Sequence, residues 1–180
     1  IRTLTASSSS TLSFVNGSSD VVLDSTYPIY LFKFINIHTS ADASFSFNLS
    51  ADTGSNYNVT KTTTIFRARH REDGSNAALT YDPGGDDIAQ GTGFQNIATV
   101  MGTDNDQSAS GTLMLFNPSS TTFVKHFLTT ANTYRSSDYS AEEFTAGYGN
   151  TTSAVDAVQF KMSSGNIDAG TIKLYGIKDS

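Results

Sequence analysis

Along residues 43–51, ASFSFNLSA, apolar and polar side chains trade places at every step. Ala43, Phe45, Phe47, Leu49 and Ala51 fall on one side, and Ser44, Ser46, Asn48 and Ser50 on the other. A period of two belongs to extended backbone, whose successive side chains project to opposite faces. The segment therefore reads as a strand with one face on a core. TLSFVN (11–16) repeats the pattern with Leu12 and Phe14. Helical periodicity is hard to find anywhere, so the chain must bury itself with sheets.

Between these segments, PIYLFKFINIH (28–38) is apolar on both faces, interrupted only by Lys33 and Asn36. Such a run suits a mid-sheet strand covered on both sides, or one at a subunit contact. Pro28 fits a strand start, where a missing donor does no harm. Further strands are expected in TKTTTIFRARH (60–70), with a helical turn over 66–71 as the rival, and in FQNIATVM (94–101), GTLMLFNP (111–118) and TTFVKHFLTTANTY (121–134). Residues 139–150, SAVDAVQFKM (153–162) and GTIKLYGIK (170–178) complete the set. Turn chemistry separates them: Asp-Gly in EDGSN, the Pro/Gly/Asp-rich DPGGDDIAQGTG (82–93), and GTDNDQSASG (102–111). About eight to ten short strands at this spacing predict an all-β fold, an antiparallel β-sandwich of jelly-roll-like type. SSSS marks residues 1–10 as a flexible lead-in, and 11–180 are expected to form a single domain.

Composition narrows the function. Twelve Phe and eight Tyr supply the apolar mass of a strand-built core. A net charge of −6 disfavours wrapping a phosphate backbone, so no nucleic-acid partner is expected. The absence of cysteine excludes disulfides, thiolate metal sites and thiol nucleophiles. No apolar run approaches the roughly 20 residues of a membrane helix, and no membrane partner is expected. IRTLTASSSS (1–10) lacks the apolar stretch of a secretory signal.

Catalytic motifs are scarce. His38, His70 and His126 are far apart and none sits in a local triad or metal motif. Glu142 and Glu143 are adjacent, so on a strand they face opposite sides and cannot act as the paired carboxylates of a glycosidase. No enzyme activity is expected. Asp82, Asp86, Asp87, Asp104 and Asp106 crowd two loops and are the candidates for a Ca²⁺ site, the only cofactor considered. Neither run has EF-hand spacing, and turn carboxylates also bond their own backbone. RARHRED (67–73) is the one basic cluster. Arg67, Arg69 and Arg71, with Tyr30, Phe32 and Phe34, are the candidates for a protein interface, since arginine pairs carboxylates in two-point fashion. Tyr134, Asp138, Tyr139 and Tyr148 could instead form a sugar-stacking surface for a host glycan.

The C-terminal segment AVDAVQFKMSSGNIDAGTIKLYGI (154–177) resembles the closing hairpin of small β-sandwich virion proteins of tailed bacteriophages, especially marine ones, of the head-decoration and tail-fibre type. Val155, Val158 and Phe160 match its first strand, and Ser164, Gly165, Asn166 and Ile167 its turn. Ala169, Gly170, Leu174, Tyr175, Gly176 and Ile177 match its end. NLSADTGSNY (48–57) and LFNPSSTTFVKH (115–126) are similar to earlier parts of that pattern. The resemblance implies a non-catalytic structural protein of the virion, assembled in the host cytoplasm: a capsid decoration or cement subunit contacting major capsid or tail proteins. A homo-oligomer, a trimer first, is the expected assembly. The alternative is a carbohydrate-recognition, receptor-binding module of a tail fibre or adhesin.

Overall fold

A computed structural model of the chain describes residues 1–81 and 85–178. They form twelve strands: β1 Arg2–Thr5, β2 Leu12–Val15, β3 Ile29–Thr39, β4 Ala43–Ser50, β5 Lys61–Arg71, β6 Ala77–Tyr81, β7 Gln95–Met101, β8 Ala109–Phe116, β9 Lys125–Arg135, β10 Tyr139–Gly149, β11 Ala157–Met162 and β12 Ile167–Ile177. The fold is all-β and every pairing is antiparallel, as the alternation predicts.

The pairings fall into two sets. One runs β1-β12-β3-β8-β9-β10-β5-β6. The other runs β7-β4-β11-β2. A single residue pair, Met101↔Arg135, joins them into one continuous twelve-stranded sheet that curls over itself like a nearly closed barrel. Phenylalanines fill the space between β3 and the shorter set. Phe32 of β3 meets Phe14 of β2 edge to face at 5.3 Å, and Phe34 meets Phe45 of β4 at 5.2 Å. Phe160 of β11 lies within 5.3–6.5 Å of five other rings, those of Phe14, Phe32, Phe34, Phe45 and Phe47. Offset and edge contacts of this kind add to what area burial alone supplies.

Several expectations change. The lead-in is part of the sheet: Arg2–Thr5 pair with Leu174–Thr171, and Ser9 bridges Ile167. Residues 66–71 continue β5 with no helical turn, because the β-branched run 62–65 extends straight into an eleven-residue ladder against β10. Tyr30, Phe32 and Phe34 are buried core and not interface, since the inward parity of β3 carries them under the shorter set. β3 lies mid-sheet between β12 and β8, but its second face, with Lys33 and Ile35, is open to solvent. The expected closing hairpin is a crossing: β11 pairs with β2 and β4, β12 with β1 and β3. The Ser164-Gly165-Asn166 turn carries the chain from one side of the core to the other, so that Phe160 and Leu174 are buried from opposite sides. Gly165 sits at φ 68°, and a Cβ there would stand 2.8 Å from the Ser40 hydroxyl. Left-handed backbone of that kind is what glycine tolerates.

Candidate functional site

Under β5, β9 and β10 the interior changes character. The inward residues of these strands include Lys61, Thr63 and Arg67, then Lys125, Thr129, Thr133 and Arg135, then Glu143 and Thr145, all buried. Arg67 Nε donates to Glu143 Oε1 at 2.6 Å, and its Nη2 donates to Asp86 at 3.2 Å and to the Thr99 hydroxyl at 2.6 Å. The Thr99 backbone N–H donates to Glu143 Oε2 at 2.8 Å, and its hydroxyl also contacts Glu143. Burial pushes the Glu143 carboxyl up, opposed by the Thr99 hydroxyl and by Arg67. Arg135 lies beside this group, its Nη2 3.4 Å from the Thr99 hydroxyl. Burial and the neighbouring Arg67 guanidinium push its pKa down.

Lys61 reaches Asn48 Oδ1 at 2.5 Å and the Val59 carbonyl at 2.8 Å. Burial lowers its pKa to about 8. Lys125 donates to the carbonyls of Phe123 and Thr151, and burial lowers it too. These charges meet protein partners on every side named. The contacts among Arg67, Glu143 and Thr99 tie β5, β10 and β7 together.

The outward residues of the same strands make a different surface. Across the ladder Leu31, Met114, Leu128, Ala146 and Thr64 lie in one row. The next row is Lys33, Thr112, Thr130, Phe144, Phe66 and Tyr81. On the other side of the first row His126 opposes Tyr148, which opposes Thr62. Phe66 and Phe144 stack at 4.8 Å, yet Phe66 remains 44% exposed, Leu128 45% and Tyr81 53%. Two shallow hollows flank Leu128. One, of about 420 Å³, is lined by Phe116, His126, Ala146 and Tyr148, and the other, of about 270 Å³, by Phe66, Met114, Phe144 and Ala146. No aspartate or glutamate stands in these three rows, although the chain carries a net charge of −6.

The singled-out residues scatter over this frame. Arg67 is internal, so it is unavailable as an interface residue. Arg69 stacks on Tyr139 at 5.3 Å, and Arg71 lies 5.8 Å from the same ring and 3.7 Å from Asp73. The glycan candidates do not converge. Tyr134 bonds Asp138 at 3.5 Å, near one end of the β9-β10 hairpin. Tyr148 lies eight residues along β10 from Tyr134's cross-strand partner Ser140, about 27 Å away at the rise of a strand. Tyr139 faces opposite to Tyr148 by parity.

Asp82 lies outside the described residues. Asp86 is engaged by Arg67 and by Asn96 at 2.6 Å, and Asp87 accepts from the Tyr81 hydroxyl at 2.8 Å. Asp104 meets the Gln107 amide at 3.4 Å, and no group of three or more His, Asp or Glu suited to a metal occurs among the described residues. His38 lies 3.5 Å from Asp168, His126 packs edge-on against Tyr148, and His70 sits apart on the outer face. Glu142 is exposed and Glu143 buried, on opposite faces of β10.

The outward apolar rows escaped sequence reading, but their signal was present: Phe66, Leu128, Phe144 and Tyr148 share the parity of polar neighbours, opposite to the buried set. The buried charges left the converse signal, sharing parity with Ile65 and Phe127. Comparison with known proteins finds no matching family model, no matching curated protein and no matching solved structure.

Proposed function

We propose that the chain is a non-catalytic structural protein of a tailed-bacteriophage virion, a capsid decoration or cement subunit that works by repeated protein–protein contact. The observation that carries this reading is the outer face of β8, β9, β10 and β5. It exposes contiguous apolar side chains on a rigid ladder, and free soluble surfaces rarely keep such a patch uncovered. The resemblance of residues 154–177 to phage virion proteins supports it, and the residues behind that resemblance serve the fold: Val155, Val158, Phe160, Ile167 and Leu174 are all buried. A face that binds weakly in each copy gains avidity when a lattice presents many copies at once.

The test is to add the purified protein to capsid particles lacking it and to map the particles at low resolution. Ordered extra density at lattice positions is the expected result. Particles that stay bare while the protein labels a glycan array would replace this reading with that of a receptor-binding module.

A further inference from the structure

We propose that the free edge of β6 docks an extended segment of a neighbouring virion protein, which adds to the sheet as one more strand. The inference deepens the function above, and only the partner's being a virion protein rests on that reading.

The two sides of β5 decide which backbone groups of β6 are free. On one side the Arg71 N–H donates to the Asn76 carbonyl, so in the β5–β6 register the hydrogen-bonded pairs are Arg69 with Ala78 and Arg67 with Thr80. On the other side the Glu72 N–H donates to the Asp138 carbonyl, which turns His70, Ala68 and Phe66 toward β10. Both sides agree. Ala78 and Thr80 bond to β5, and the N–H and C=O groups of Ala77, Leu79 and Tyr81 point away from it. β6 pairs with no other strand, and those groups have no partner among the described residues. They recur about every 7 Å along the edge, two residues of strand rise.

The other edges are shorter, polar or engaged. The Ala6 N–H donates to Gly170, so β1 turns only Thr3 and Thr5 outward, beside the charged Arg2. On β2 the outward residues are Ser13 and Val15, and the Val15 carbonyl already accepts from the Ser18 N–H at 3.0 Å. On β7 the Thr99 N–H is taken by Glu143 at 2.8 Å. β6 is different. No charged residue or proline occurs from Asn76 to Tyr81, the register has no bulge, and Leu79 is 73% exposed. Edge strands are ordinarily kept from pairing by a charge, a proline or a bulge, and one that lacks all three is a template for another strand.

The class of occupant follows from the row itself. Alternating donors and acceptors at strand spacing are matched throughout only by another extended backbone. Side chains narrow the choice further. Ala77, Leu79 and Tyr81 lie on the outer face, opposite His70, Ala68 and Phe66. A strand paired to β6 sets its own outward residues beside these three, so apolar ones continue the row through Phe144, Phe66 and Tyr81. Beside the small Ala77 there is room for a large side chain, since a hollow of about 520 Å³ lined by Ala77, His70 and Ser140 begins there. The segment that fits is extended and apolar at every second position.

The experiment is hydrogen exchange read at single amides of the full chain, with the synthetic peptide Thr-Val-Thr-Val-Thr-Val as probe. In the isolated chain Ala77, Leu79 and Tyr81 should exchange fast, and Ala78 and Thr80 slowly. Saturating peptide should slow the first three about tenfold or more, the effect of one new hydrogen bond each. Leu79→Pro removes a free donor without touching the bonds to β5. It should keep the β-type circular dichroism and lose the protection at Ala77 and Tyr81, whereas Leu79→Ala, which keeps the edge backbone, should retain it. Three amides that the peptide leaves unprotected overturn the proposal, and so does a proline variant protected like the native chain. Capsid particles in place of the peptide separate the two claims. Capsid binding with the three amides still exchanging fast ends this inference and spares the function. Protection by the peptide in a chain that never binds capsid spares the docking edge and ends the virion reading.

Discussion

The two halves of the interior fill the same kind of space with opposite chemistry. Between β3 and the set β2, β11 and β4, phenylalanine rings pack on one another around Phe160. Between β5, β9, β10 and β7, the inward positions hold Lys61, Arg67, Arg135 and Glu143. The aromatic half gains from each ring removed from water, with no partner required. The polar half must first offset the desolvation of its charges, and does so only where each finds a counter-charge or an oxygen in reach. The first half should therefore carry the stability. The second should specify which strands meet, since Arg67 and Glu143 satisfy each other only when β5, β10 and β7 are in register.

The sharpest way to break this comparison is Phe160→Ala. Its ring touches five others from three strands, so truncation opens a cavity that no neighbour can fill without leaving its own strand. We expect a loss of about 3–5 kcal/mol in urea unfolding. A loss below about 1 kcal/mol would mean that the aromatic half is loosely packed, and the contrast would fail.

The polar half should show itself through pH. Lys61 in the folded chain has its pKa lowered from 10.5 to about 8 by burial. Below pH 8 both folded and unfolded chains carry the proton, and the full cost of burying the ammonium is present. Between about 8 and 10.5 the unfolded chain binds more protons than the folded one, so stability rises with pH. The rise amounts to about 3 kcal/mol over that window. Stability of Lys61→Met should lack this slope, and an unchanged slope in that variant would assign it to other groups.

Much of this division is written in the parity of the strands, and part of it is not. The alternation of 43–51 fixes Phe45, Phe47 and Leu49 inward, as found, but the opposite face, expected in solvent, is covered as well: Ser46, Asn48 and Ser50 are buried. Lys61 and Arg67 share the parity of Ile65, so their burial follows once β5 is known to have a core face. What parity cannot give is the partner. Glu143 reaches Arg67 directly across one ladder, but Thr99 comes from the other set, 44 residues away in sequence. The doubly apolar run of β3 poses a similar ambiguity. Local pattern leaves open whether both faces are covered, and the structure covers one and opens the other. β6 was missed because AALTY is short and mostly exposed, with no alternation to announce it. The tyrosines grouped by sequence proximity separate because a long hairpin sends its two ends far apart.

Glu143→Gln tests the ion pair within the polar half. The amide keeps the shape but leaves the Arg67 cation buried with Asp86 as its remaining carboxylate partner in the contacts above. We expect a loss of about 2–3 kcal/mol. Replacing both members together, Arg67→Met with Glu143→Leu, should cost less than the sum, because neither member of the pair is left buried facing the other's empty place. Additive losses in the double variant would show that the pair does not act as a unit.

The smallest effect should have the opposite sign. Thr129 and Thr145 oppose each other across β9 and β10, at the border between the two halves. Their hydroxyls are buried and have no hydrogen-bond partner among the described residues. A buried hydroxyl left unbonded is a net cost, so Thr145→Val, which swaps that oxygen for a methyl of similar size, should raise stability by about 1 kcal/mol. The gain would place Thr145 with the aromatic half in its energetics, despite its polar chemistry. A loss of similar size would instead show that the hydroxyl is satisfied in solution, and the border between the halves would move one residue pair toward Phe127.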